Sequence, residues 1–169
     1  MNEIKDLDFL VKERFEELLS DLKSDEQKLV NHKSVENFIL YLIDKPLINQ
    51  NKNKSLQELG EIRMKKRLLE FFQAVRNTDL NNQNAIDLYQ KYIMKIGEFM
   101  TEYYGFTGNG GKLKILTVLM ILTLGIVLDT ITSIFDWLNY PIFTPLFIIL
   151  FTVRYLIKYK QRKIYGILY

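Results

Sequence analysis

The amino-acid sequence predicts an all-α protein, with an N-terminal cytosolic bundle of about four helices followed by a C-terminal two-helix transmembrane hairpin. Three observations predict it. Two apolar runs, residues 115–135 and 142–153, lie close together near the C-terminal end, with a short turn between them. The residues before them repeat apolar side chains at spacings of three and four, the period of a helix with one buried face. No useful stretch of that front part alternates apolar and polar residues, so no strand is expected there.

The first helix is predicted over 3–23, where Ile4, Leu7, Val11, Phe15, Leu18 and Leu22 form the stripe. Ser24 and Asp25 make a break. A second helical stretch covers 26–44, with Leu29, Val30, Phe38, Ile39, Leu42 and Ile43 as its apolar set and Ser34 as a dividing point. Pro46 ends it, because the residue before a proline avoids the α region. Residues 46–54 read as an exposed loop. Ser55 and Glu58 have the spacing of a capping box, in which serine and glutamate satisfy each other's free backbone N–H groups. The third helix is predicted over 56–76, burying Leu56, Leu59, Ile62, Leu69, Phe72 and Val75. Asn84 is the expected cap of a fourth helix over 85–104, with Ile86, Tyr89, Ile93, Ile96, Met100 and Tyr103 on one face. These helices make a cytosolic domain over 1–106.

Residues 107–114 form a glycine-rich hinge through Gly108, Gly110 and Gly111. It is either a simple helix stop or a mechanical coupling between two domains. The hairpin follows over 115–157. A helix between Lys114 and Asp136 is about 33 Å long, close to the hydrocarbon thickness of a bilayer. Residues 137–153 hold seventeen residues without a charge, the lower limit for a second span. A basic-aromatic tail, 158–169, is expected to continue the last helix along the membrane surface.

Charge orients the hairpin. Residues 1–111 carry sixteen Lys and Arg against eighteen Asp and Glu, whereas residues 112–169 carry seven against two. The positive net charge of +3 therefore belongs to the membrane flanks and is weak evidence for nucleic acid. Lys112, Lys114, Arg154, Lys158, Lys160, Arg162 and Lys163 flank the spans, and the connecting turn holds only Asp136. The positive-inside rule places both termini in the cytoplasm, giving a multi-pass protein of the cell (inner) membrane. Trp137 and Tyr140 suit the outer interface; Tyr155 and Tyr159 suit the inner one. The acidic N-terminus has no apolar signal core.

Enzyme chemistry is the least supported class. There is no cysteine and one histidine, no phosphate-binding Gly-rich loop, and no carboxylate pair with a base beside it. No cofactor or metal is expected. His32 reads as a solvated residue at a helix break. Arg63, Lys66 and Arg67 lie at i, i+3 and i+4, so they can converge on one helix face, with Lys65 and Arg76 nearby. Such a face suits an anionic ligand, a nucleotide or oligonucleotide, or a protein partner. The plainer account is a solvated face neutralised by Glu58, Glu61 and Glu70. The cluster lacks the interleaved aromatics that base stacking would favour.

On a helical wheel Gly125, Asp129, Thr132 and Asp136 share one face of the first span, continued toward the cytosol by Val118, Ile121 and Leu122. A carboxylate inside a span costs about 2.5–3.5 kcal/mol unless it meets water or a partner. Either Asp129 is hydrated near the outer interface, or copies surround an axis as a homo-oligomer. In the second case Asp129 and Asp136 attract cations, and the apolar layers below close by dewetting. Two functions lead, beside a third in which the same hairpin serves a purely structural assembly subunit without a gate. The leading one is an oligomeric membrane effector controlled by the cytosolic helical sensor domain, with an ion channel, a cation-permeable pore, as its strongest form. The alternative is a membrane-tethered binding protein, of immunity or regulatory type, whose bundle captures a partner.

Overall fold

The computed structural model describes residues 2–44, 54–108, 111–135 and 140–166. They are almost wholly helical, with only two extended segments of two residues each among them, Thr107–Gly108 and Ile164–Tyr165. Two compact units divide at residues 108 and 109.

In the first unit, α1 runs Asn2–Asp21, α2 Ser24–Leu29, α3 His32–Asp44, and α4 Lys54–Arg76. Helix α5, Asn82–Leu88, passes through one π turn, Tyr89–Ile93, into α6, Met94–Tyr104. Helix α1 stops where the Gln27 amide donates to the Leu19 and Leu22 carbonyls at 2.8 and 3.1 Å, satisfying acceptors that the helix end leaves open. The expected second helix is two. The break falls at Asn31, not Ser34: Asn31 has φ 52°, a left-handed conformation that asparagine tolerates, and Ser34 Oγ donates to its side chain at 3.0 Å.

Helix α4 begins at Lys54, one residue before the expected cap Ser55. Asn81, not Asn84, caps α5, its side chain accepting the Asn84 N–H at 2.9 Å. Asn84 instead donates through its amide to the Asp79 carbonyl at 2.9 Å. The predicted loop at residues 46–54 lies, apart from Lys54, outside the described residues.

The core of this unit comes from Val11, Phe15 and Leu18 on α1, Phe38, Ile39 and Leu42 on α3, Leu68, Phe71 and Phe72 on α4, and Ile93, Ile96 and Met100 further on. On α4 the buried stripe is Met64, Leu68, Phe71, Phe72 and Val75, while Leu59 is 59% exposed. The stripe is rotated from the expected one because α4 is covered by α1, α3, α5 and α6, and so buries a broader and different arc. Gly60 permits part of this. A Cβ there would lie 2.6 Å from the Phe99 ring, so α4 and α6 approach through a position without a side chain.

In the second unit, α7 runs Gly111–Ile134 and α8 Phe143–Lys160, packed against each other as an antiparallel pair. Residues 116–134 of α7 are the one stretch among the described residues long and apolar enough to cross a membrane, with mean hydropathy 2.0 and 11% of its most apolar window buried. Helix α8 is eighteen residues long and carries Arg154, Lys158 and Lys160 in its last seven. The tail does not continue that helix. Arg162 takes φ 56°, and residues 164 and 165 are extended.

Candidate functional site

The contact between α7 and α8 is built around Asp129. Its Oδ1 accepts the backbone N–H groups of Ile142 and Phe143 at 2.9 and 2.8 Å, and its Oδ2 accepts that of Thr144 at 3.0 Å. These are first-turn donors of α8, which have no acceptor within their own helix. The residue at the local cap position is Ile142, whose side chain offers none. A carboxylate from the neighbouring helix thus acts as the N-cap and places its negative charge at the positive end of α8.

One turn back along α7, Gly125 fits against the same segment. A Cβ at Gly125 would stand 2.8 Å from the Thr144 Cα and 3.2 Å from its N, so only glycine lets the backbones meet. Thr132 is buried too, its hydroxyl donating to the Leu128 and Asp129 carbonyls at 3.0 and 3.1 Å. Gly125 and Asp129 of the predicted face are therefore set against the start of α8 within one chain, and the buried Thr132 bonds to its own helix. Of the rest of that predicted face, Ile121 and Leu122 are half-buried and Val118 is exposed, while Asp136 lies outside the described residues. Beside Asp129, Ile126, Thr130, Ser133, Ile134, Tyr140 and Pro141 border an open groove of about 400 Å³.

The predicted hinge residues scatter. Gly108 is in an extended segment, Gly111 is the first residue of α7, and Gly110 is outside the described residues. Just before that extended segment, Gly105 takes a left-handed backbone at φ 70° and terminates α6.

In the bundle, Arg63 and Lys66 are exposed and Arg67 is half-buried, and none of the three has an ion pair among the described residues. Lys65 is different. Its side chain is 3% exposed and its ammonium is paired with Asp8 of α1 at 2.5 Å. One turn away, the Tyr104 hydroxyl donates to Glu61 Oε1 at 2.7 Å. Burial pushes the Glu61 carboxyl above its ordinary range, against the opposing pull of the Tyr104 hydrogen bond and of Lys65. The Tyr104 hydroxyl is also raised, first by burial and then by the carboxylate it serves. Around Tyr104 the rings of Tyr41, Phe99 and Phe106 close, with Tyr41 5.0 Å from Phe106 and 6.1 Å from Tyr104, centroid to centroid.

This Asp8–Lys65–Glu61–Tyr104 group escapes a reading of the sequence because its members lie far apart along the chain. The only available signal is Lys65 at a position between Met64 and Leu68 on the helix. His32, also polar, serves locally, its Nδ1–H donating to the Gln27 carbonyl at 2.9 Å. Among the described residues no group of carboxylates and histidine could hold a metal ion. Comparison with known proteins gives no match: no family model fits the chain, and no curated protein or solved structure is significantly similar to it.

Proposed function

We propose that this chain is a membrane-tethered binding protein: α7 and α8 cross the bilayer as a hairpin, and the helical bundle stands in the cytoplasm and captures a partner. The observation that supports it is the exposure of apolar side chains along both helices. Ile126 and Val127 of α7 are 57% and 47% exposed, and Ile149 and Leu150 of α8 are 58% and 56% exposed. A soluble protein rarely leaves so much contiguous apolar surface in water, whereas lipid covers it at no cost. Charge favours the same arrangement, with the cations gathered at one end of the hairpin. Asp129 fits it as well, since a carboxylate held by three N–H groups is already satisfied and needs no ring of copies.

On the bundle, the cations Arg63, Lys66 and Arg67 are the surface offered to an acidic protein or an anionic ligand. Substitution of all three by glutamate should abolish partner capture without loss of helicity. The hairpin itself is tested by labelling. The chain has no cysteine, so Asn139→Cys and Lys160→Cys, the latter at an exposed position, each give a single thiol. Asn139→Cys should label from outside the cell and Lys160→Cys only after the membrane is opened. Labelling of both from one side removes the two-span hairpin.

An oligomeric effector with a cation-permeable pore is the second reading. It is favoured by Thr130 and Ser133, polar residues exposed beside the groove near Asp129, where a second copy would cover them. A strict monomer in detergent would exclude it.

A further inference from the structure

The hairpin sorts its charges by end. In residues 112–169 the only acidic side chains are Asp129 and Asp136, both toward the turn, while the seven cations all lie toward the opposite end. The contact of Gly125 and Asp129 with Thr144 sets the register of the antiparallel pair. Fourteen residues along each helix from that contact bring the start of α7, at Gly111, level with Lys158 of α8. That distance is about 21 Å, and the whole of α8 is about 27 Å long, so its last turns stand at headgroup height when its first turn is at the outer interface.

Those last turns carry Arg154, Lys158 and Lys160, with Arg162 just beyond. Arg154 and Lys158 are one turn apart on the same face. In those turns Arg154 is exposed and Lys158 half-buried. Arg162 closes the helix in an unusual way. Its N–H donates to the Tyr159 carbonyl at 3.0 Å, and the Lys163 N–H donates to the Lys158 carbonyl at 2.9 Å, a pattern normally completed by glycine. Here an arginine takes φ 56° instead, setting its charge at the negative end of α8. Half-buried Tyr155 and exposed Tyr159 lie in the same turns, and such rings favour the interface.

We infer that Arg154, Lys158, Lys160 and Arg162 form a collar that binds the phosphates of anionic phospholipid headgroups in the cytoplasmic leaflet. The inference rests on the membrane reading of the hairpin. The acidic side chains of residues 112–169 are confined to the other end, and anionic lipid matches the collar in both charge and height.

The test uses the full-length protein in non-ionic detergent, titrated with phosphatidylglycerol or phosphatidylcholine while thermal loss of helicity is followed. Phosphatidylglycerol should stabilise at lower concentration than phosphatidylcholine, and about 0.5 M salt should remove the difference. Each cation lost should weaken the preference about fivefold, so Arg154→Gln with Lys158→Gln should weaken it roughly 25-fold. If that variant loses helicity, Lys160→Gln with Arg162→Gln carries the same comparison from side chains that are exposed. Equal stabilisation by the two lipids, or an unchanged preference in the variant, overturns the collar. Equal stabilisation by inorganic phosphate overturns the lipid as its partner. Quenching of Trp137, the single tryptophan, by phosphatidylcholine with brominated tails reports insertion independently. Absent quenching is the failure of the membrane reading; quenching without lipid preference is the failure of the collar alone.

Discussion

Replacing Asp129 by alanine removes the acceptor for three backbone N–H groups at once. Loss of an ordinary N-cap side chain costs up to about 2 kcal/mol. The ionised carboxylate at a helix N-terminus adds up to about 2 kcal/mol in a partly buried setting. Asp129→Ala should therefore weaken the α7–α8 contact by about 3–4 kcal/mol. Asparagine is nearly as good a cap as aspartate, so Asp129→Asn keeps most of the hydrogen bonding and should lose only about 1–2 kcal/mol. The order alanine worse than asparagine is the signature of a cap. Unfolding of the detergent-solubilised protein by sodium dodecyl sulfate, followed through the single tryptophan, Trp137, measures both. Alanine and wild type equally stable would refute the cap. Planar-bilayer recording gives a second reading of the same residue. A cation current whose selectivity changes in Asp129→Asn would return Asp129 to a pore wall and overturn the tether.

Gly125→Ala places a methyl group 2.8 Å from the Thr144 Cα, so the helices must separate; a loss of about 1–3 kcal/mol is expected in the same unfolding assay. Lys65→Met leaves the Asp8 carboxylate, 24% exposed, without its cation, and should destabilise the bundle by about 2–4 kcal/mol. The double variant with Asp8→Leu should recover much of that, and a double variant no better than the single would deny the pair its role. Glu61 gives a pH dependence. Its folded pKa is raised above the unfolded value of 4.5, so the protonated form is favoured on folding. The contribution is fully present below the unfolded pKa and is lost as pH rises through the folded one. Relative to wild type, Glu61→Gln should therefore gain stability as pH rises through that window, read as the difference between two melting curves. A constant difference across the window would contradict it.

The helical front of the chain is legible before any packing is known, because an apolar period of three and four is a property of neighbours along the chain. Val11, Phe15 and Leu18 are buried as their spacing requires. The helix apolar enough to span a membrane is legible in the same way, since length and composition set that alone. The inward arc of α4 is not. Its wheel allows more than one stripe, and the packing of four other helices selects Met64, Leu68 and Phe71 over Leu59. Nor is Lys65, whose burial depends on Asp8, fifty-seven residues away. Asp129 shows the difference most clearly. Its position on the polar face of α7 can be read from a helical wheel, but what it meets cannot: the donors of α8 come from residues 142–144, and a wheel carries no information on the helix beside it. Local preferences fix where a helix runs; the identity of a buried polar group's partner is a long-range fact that only packing supplies.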